Sequence, residues 1–289
     1  MSDGPVRVEI DGAVATVTLA RPEHANTVTY PMLDALLAAF DEFDRDDAVR
    51  AVVVTGEGRF FSAGTDLTGS ASAHDGFHPG TAGFKPLRGG TRDVGGELAI
   101  RIFELTKPVI AAVNGTAVGI GVTMILPMDV RIASEDARFG LPFVRRGILP
   151  ESCATWFLPR AVGISRAVEW AVTGRIFDAQ EALAGGLVRE LLPTSEVLPR
   201  AHELARDIAE HTAPVSVALT RQMMWRLLGA DHPMAANRLE SQALLALGGT
   251  HDAAEGVDSF IEKRAPEFTG RASTDMPAFY PWWVDEPFE

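Results

Sequence analysis

Residues 107–121 have the sequence KPVIAAVNGTAVGIG, and this stretch decides the fold class. Its first part, residues 108–113, is a continuous run of apolar residues, which is typical of a buried strand. The apolar residues 118–128 then suit a buried helix, and residues 129–133 suit another strand. Strands that alternate with helices predict an α/β fold.

A second stretch, residues 60–67 (FFSAGTDL), follows the strand-like sequence AVVVT at residues 51–55. The two stretches place Gly64 and Gly119 where a strand ends and a helix can begin. Such a junction exposes backbone N–H groups, and the helix dipole favours negative charge there. Two junctions that faced each other would form an oxyanion hole, a pair of donors for a developing negative oxygen.

The bulk composition restricts the possible partners. The chain has 289 residues, is 46% hydrophobic and carries a net charge of −13, which suits one large domain or one domain with an appendage. The acidic charge argues against nucleic acid or an anionic membrane as a partner. The single cysteine, Cys153, excludes an intrachain disulfide. Because there is no secretory signal and no apolar run of ~18 residues, we expect a cytoplasmic protein.

The pattern along the chain suggests two parts. Residues 68–97 are rich in Gly, Ser, Thr and His, so we predict a long surface loop, followed by a helix at residues 98–105. From residue 197 onward the pattern is helical, with predicted helices at residues 197–211, 214–228, 233–247 and 251–263. We therefore divide the chain into a core, residues 1–196, and a helical C-terminal domain, residues 197–289.

In order and spacing, these segments resemble the crotonase (enoyl-CoA hydratase/isomerase) superfamily. Residues 60–67 resemble its pattern F-x-A-G-x-D-L/I, and residues 107–121 resemble K-P-V-I-A-A-V-N-G-x-A-x-G-x-G. The resemblance continues through residues 137–140, 158–165 and 182–188 to residues 256–264, and so covers most of the chain. It implies a crotonase-type spiral of ββα units with a helical domain used for assembly into a trimer, or into a hexamer made of two trimers.

The resemblance also implies a binding site for an acyl-CoA substrate, with coenzyme A as part of the substrate, no covalently bound cofactor and no metal. The oxyanion donors fall on the backbone N–H groups of Thr65 and Ile120. Lys263, from this or a neighbouring subunit, could meet a phosphate, and the alternative is a solvated surface charge. Phe260 could close the acyl pocket, and the alternative is ordinary core packing. The residues implied to contact coenzyme A or the acyl chain are Ala25, Ser62, Ala63, Gly64, Asp66, Leu67, Thr123, Phe143, Phe260 and Lys263.

The reaction is indicated by two missing glutamates. Hydratases of the superfamily use two glutamates to activate water, and the matching positions here hold Thr123 and Phe143. Neither side chain is a base near neutral pH. Glu151, in the stretch GILPES, instead resembles the lone acid of the peroxisomal-type Δ3,Δ2-enoyl-CoA isomerases.

We therefore expect an isomerase of fatty-acid metabolism that uses Glu151 as its base. A first-turn glutamate stabilised only by a helix dipole is the simpler interpretation of Glu151. The alternative functions are an enoyl-CoA hydratase, a hydrolase with the same fold, and a CoA-binding protein without catalysis.

Overall fold

Six strands form one sheet that runs through the middle of the molecule. In spatial order they are β1 (Val6–Asp11), β2 (Val14–Leu19), β3 (Ala51–Gly56), β7 (Val109–Val113), β9 (Val130–Ser134) and β12 (Glu190–Leu192). Strands β1 and β2 are an antiparallel hairpin, and every later pairing is parallel. This computed structural model describes residues 4–66, 84–87 and 90–288.

A second sheet contains four strands, in the order β11 (Ile176–Asp178), β10 (Arg138–Gly140), β8 (Thr116–Val118) and β4 (Phe60–Ser62). Strands β4, β8 and β10 are parallel to one another. The consecutive pairs β3/β4, β7/β8 and β9/β10 each place one strand in the larger sheet and the next in the smaller one. Repetition of that step, with helices between the turns, is the predicted spiral of ββα units.

Some of the helices begin at side-chain caps that the sequence supplies. The Thr29 hydroxyl accepts from the Met32 N–H over 3.4 Å, and the Asp178 carboxylate accepts from the Glu181 N–H over 2.8 Å. The helices are α1 (Tyr30–Arg45), α2 (Val94–Glu104), α3 (Ile120–Thr123), α4 (Ala154–Val162), α5 (Ile164–Thr173), α6 (Ala179–Ala184), α7 (Thr194–His211), α8 (Pro214–Arg226), α9 (Met234–Leu247) and α10 (His251–Glu262). No helix within these described ranges is long and apolar enough to span a membrane.

The two faces of the larger sheet are covered differently. Helix α7 lays Ala201, Ala205 and Ala209, one turn apart, on the face that carries Val53 and Ile110. Alanines at this spacing allow a helix to approach a sheet closely because their side chains are short. Helices α1 and α2 cover the opposite face with Leu, Ile and Phe side chains. The proposed domain division at residue 197 stays a prediction.

Three local predictions were wrong. Residues 84–93 form a hairpin of β5 (Phe84–Leu87) and β6 (Gly90–Asp93), and α2 begins directly after it, so the predicted loop at residues 68–97 does not extend to its expected end. Residues 68–83, 88 and 89, which the loop prediction also covers, lie outside the described residues. The predicted helix at residues 118–128 is limited to α3, followed by turns. The interpretation of Glu151 as a residue in the first turn of a helix is also wrong, because α4 starts three residues after it. Gly95 and Gly96 concealed the start of α2, because glycine weakens helical propensity.

Candidate active site

The two glycine junctions lie side by side because β4 and β8 are adjacent parallel strands. A Cβ atom placed on Gly64 would lie 3.2 Å from the carbonyl oxygen of Val118, and one placed on Gly119 would lie 3.7 Å from the Cα of Gly64. Both glycines have positive φ, +108° and +58°, a region that other residues rarely adopt. The strand ends are thus brought to one place by close backbone contact that needs glycine.

Each junction presents one backbone N–H group, at the two positions that the sequence predicts. Val28 bonds to the carbonyl of Gly64 and to the N–H of Asp66, and so bypasses the Thr65 N–H between them. Ile120 is the first residue of α3, so its N–H has no acceptor inside the helix. No residue in the described ranges accepts a hydrogen bond from either N–H. The pair can therefore donate to an anionic oxygen of a ligand.

Glu151 lies at the N-terminal end of α2, next to the second junction. A Cβ atom on Gly95 would lie 2.1 Å from Oε2 of Glu151, 2.3 Å from Oγ of Ser152 and 3.2 Å from Cδ1 of Ile120. Glu151 thus approaches both α2 and the Ile120 side chain across a glycine. The Thr123 hydroxyl donates to Oε1 of Glu151 over 2.8 Å, and the Ser152 hydroxyl donates to Oε2.

These surroundings raise the pKa of Glu151 to about 7. Desolvation of the carboxyl group is the largest cause, and the negative charge of Asp93 is the second. The hydroxyl groups of Ser152 and Thr123 act in the opposite direction, because they donate to the ionised form. A carboxyl group with a pKa near neutrality can both accept and return a proton.

Asp93 is a site residue that the sequence analysis missed. Its Oδ1 accepts from the Gly95 N–H over 2.9 Å, and its Oδ2 accepts from the N–H groups of Gly96 and Ser152, each over 2.8 Å. Ser152 links the two carboxyl groups, because its N–H donates to Asp93 and its hydroxyl donates to Glu151. The usable signal was an aspartate directly before a helical pattern, which is a preferred N-cap residue.

The residues predicted to contact coenzyme A are brought together along the first junction. The Ala63 N–H donates to the Ala25 carbonyl over 3.0 Å, and the buried Ser62 hydroxyl accepts from the Gly64 N–H over 3.3 Å. Asp66 pairs with Arg21 over 3.0 Å, so Arg21 is already occupied by a carboxylate. Leu67 lies outside the described residues.

The predicted acyl-side residues fall in two places. Thr123 contacts Glu151, and the ring of buried Phe143 lies 3.9 Å from a Cβ placed on Gly119. Phe260, by contrast, is 83% exposed on α10, and Lys263 is exposed just after that helix. Within one chain these last two residues do not line a pocket, so their predicted roles require a neighbouring subunit. In the part of the chain described, no group of three or more His, Cys, Asp or Glu residues is arranged to hold a metal ion.

Comparison with known proteins gives a consistent family. The family model described as Enoyl-CoA hydratase/isomerase matches residues 9–271. The chain is 45% identical to "Enoyl-CoA hydratase ACTT3" of Alternaria alternata, over 92% of this chain and 85% of that protein. It is 34% identical to the "2,3-dehydroadipyl-CoA hydratase" of Escherichia coli (strain K12), over 89% of this chain and 96% of that protein.

A solved structure agrees with the observed fold. The crystal structure of a probable enoyl-CoA hydratase/isomerase from Mycobacterium abscessus superposes with a TM-score of 0.82. It is 36% identical in sequence, and the match covers 93% of this chain and all of that one. The predicted fold class is thereby confirmed.

Proposed function

The chain belongs to the enoyl-CoA hydratase/isomerase family, and on that premise we propose that it is a Δ3,Δ2-enoyl-CoA isomerase with Glu151 as the proton-carrying group. One observation carries the proposal. The carboxyl group of Glu151 lies beside the Ile120 side chain and accepts a hydrogen bond from Thr123. By resemblance, Thr123 itself stands where the family's hydratases carry a glutamate. A double-bond shift requires only one such group, whereas the usual hydration requires two.

The reaction follows from these groups. The thioester carbonyl oxygen of a 3-enoyl-CoA accepts hydrogen bonds from the N–H groups of Thr65 and Ile120. The ionised Glu151 removes a proton from C2, and the electron pair of the broken C–H bond delocalises into a dienolate. Glu151 then returns the proton to C4 while the double bond forms between C2 and C3. No other reactant is consumed, and Glu151 ends the cycle ionised.

Coenzyme A is proposed to lie along the first junction, against Ala25 and residues 62–66. This stretch offers backbone groups and little cationic charge, because Arg21 is paired with Asp66. A phosphate partner must therefore come from elsewhere, and Lys263 of a neighbouring subunit is the proposed source. A CoA titration of Lys263→Ala tests this role, and unchanged affinity would remove Lys263 from the site.

Assembly into a trimer, or a hexamer of two trimers, is part of the same proposal. Helices α9 and α10 expose an unusual number of apolar side chains. These are Leu244, Leu245, Val257, Phe260 and Ile261, which are between 57% and 85% exposed. An exposed apolar surface of this kind is typical of a subunit interface. Sedimentation of the intact protein should give the mass of three or six chains, and Leu245→Asp should release monomers.

The decisive experiment offers one 3-enoyl-CoA and one 2-enoyl-CoA in separate reactions. An isomerase converts the 3-enoyl-CoA to a conjugated product of equal mass, which ultraviolet absorbance and chromatography detect. In D2O the product should acquire deuterium at C4 whenever Glu151 exchanges its proton with solvent before returning it. Absence of the conjugated product with every chain length offered would overturn the proposal.

Hydration of a 2-enoyl-CoA is the second candidate. It is favoured by the relatives named as hydratases and by the presence of Asp93, a second carboxyl group whose charge acts on Glu151. Addition of one water to the 2-enoyl-CoA, without isomerisation of the 3-enoyl-CoA, would select it. Both results come from the same two reactions: mass spectrometry detects the added water, and ultraviolet absorbance with chromatography detects the isomer.

A further inference from the structure

We propose that Asp93 is a positioning residue that forms a carboxyl pair with Glu151 and sets how strong a base Glu151 is. The inference rests on the proposed role of Glu151 as the base. It adds a second acid at a position that carries no family motif. Asp93 reaches the site from the hairpin β5–β6, at the point where α2 begins.

The hydrogen bonds of Asp93 hold its carboxyl group in place as an acceptor. Three backbone N–H groups, those of Gly95, Gly96 and Ser152, donate to its two oxygens. Both oxygens therefore act as acceptors, in the positive field at the start of α2. Two like charges close together repel each other, so the negative charge of Asp93 makes Glu151 bind a proton more tightly.

The backbone around Glu151 is shaped for this contact. Ser152 and Cys153 both have positive φ, +57° and +56°, which is unfavourable for residues with a Cβ atom. Two such residues in succession store backbone strain, which persists only where the surrounding structure holds it. The conformation turns the Ser152 N–H toward Asp93 and its hydroxyl toward Glu151. Gly95 supplies the space, since any side chain there would overlap Oε2 of Glu151.

Two opposing influences act on Glu151. Asp93 disfavours its ionised form by charge, and the hydroxyl groups of Thr123 and Ser152 favour it by hydrogen bonding. The other titratable groups of the described segments near this pair are Cys153, two residues after Glu151, and Arg92, directly before Asp93. Replacement of Asp93 and replacement of Thr123 should therefore change the basicity of Glu151 in opposite directions. A purely structural role for Asp93 does not require that opposition.

The test compares Asp93→Asn with Thr123→Val in the full chain. Asparagine and serine also cap helices, so Asp93→Asn or Asp93→Ser removes the charge while an N-cap is kept. The protonation of Glu151 is followed by its infrared carboxyl band, identified by difference from Glu151→Gln. The midpoint of the Glu151 titration should move to lower pH in the Asp93 variants and to higher pH in Thr123→Val.

The kinetic measurement is independent of the titration. For Asp93→Asn, kcat for the 3-enoyl-CoA should fall about tenfold or more with KM little changed, because a weaker base removes the C2 proton more slowly. An unchanged or raised midpoint in both Asp93 variants would overturn the carboxyl pair. If the midpoints move as expected but no 3-enoyl-CoA reacts, the pair stands and the proposed isomerase function fails.

Discussion

The hydroxyl group of Thr123 donates a hydrogen bond to Oε1 of Glu151 over 2.8 Å. Thr123 occupies the position at which the family's hydratases, by resemblance, carry one of two glutamates. The position of one missing hydratase glutamate is therefore in direct contact with the proposed base. The neutral hydroxyl donor at that position stabilises the ionised form of Glu151.

Glu151→Gln should abolish catalysis without loss of ligand. General base catalysis contributes about 10²–10⁴-fold to rate, so kcat should fall by that factor. Binding of coenzyme A, measured by calorimetry, should be unchanged because the amide keeps the size of the carboxyl group. The matched control is Glu135→Gln, an exposed glutamate, which should retain full kcat. Full activity in Glu151→Gln would remove Glu151 from the mechanism.

Activity should rise with pH through the pKa of Glu151, about 7. The first step requires the ionised carboxylate, so kcat/KM should be low at pH 5 and should level off near pH 8. The profile is measured with a 3-enoyl-CoA at substrate concentrations far below KM. A flat profile between pH 5 and pH 8 would show that another group removes the proton.

Folding stability should respond to the same titration with the opposite sign. The folded state raises the Glu151 pKa from 4.5 to about 7, so it binds the proton more tightly than the unfolded chain does. The stability attached to this group is therefore present below pH 4.5 and is lost as pH rises through about 7, by about 3 kcal/mol. At pH 8, denaturant unfolding should accordingly give a larger free energy of unfolding for Glu151→Gln than for the native chain. That difference should shrink toward pH 4.5, and an equal difference at both pH values would contradict the raised pKa.

Gly95→Ala should displace Glu151. The added methyl group would overlap Oε2 of Glu151 and Oγ of Ser152, at 2.1 Å and 2.3 Å. We expect a loss of at least about tenfold in kcat, since small misplacements of a catalytic group are costly. Gly249→Ala is the control, because a Cβ atom there meets nothing within 4 Å. Circular dichroism and kcat of both variants check the prediction, and equal activities would contradict it.

Gly119→Ala should damage the second oxyanion donor. Gly119 has φ +58° and precedes Ile120, so a shift to a negative φ would turn the Ile120 N–H away from the site. Loss of one such donor costs about 10²–10³-fold in kcat. Gly12→Ala provides a control with nearly the same φ, +57°, in the β1–β2 turn. Steady-state kinetics should therefore separate two variants that carry similar backbone strain.

Asp129→Ala should destabilise the protein without a direct effect on chemistry. Its carboxylate accepts from Arg221 Nε over 2.8 Å, from Trp225 Nε1 over 2.7 Å and from the Val109 N–H over 2.7 Å. Removal leaves the buried Arg221 guanidinium without its carboxylate, which costs about 3–5 kcal/mol. Denaturant unfolding measures the loss. The folded fraction should keep its kcat, and a selective loss of kcat would place Asp129 in the mechanism.

The sequence determined the parts of this protein that depend on local pattern. Apolar runs specify the strands, glycines mark the two junctions, and capping residues start α1 and α6. Glu151 was found because it lies in a stretch that resembles a known family. These features are local because strand formation, turns and caps depend on neighbours within a few residues.

Only the tertiary structure decided what surrounds Glu151. Thr123 lies 28 residues before it in sequence, and the Asp93–Ser152 hydrogen bond joins residues 59 apart. Such contacts arise from the stacking of two sheets and from the space at Gly95, neither of which has a periodic signal in the sequence. The sequence therefore fixed which acid is present, while packing determined its partners and so its pKa. Charge and desolvation act through space, and spatial neighbours exist only after the chain has folded.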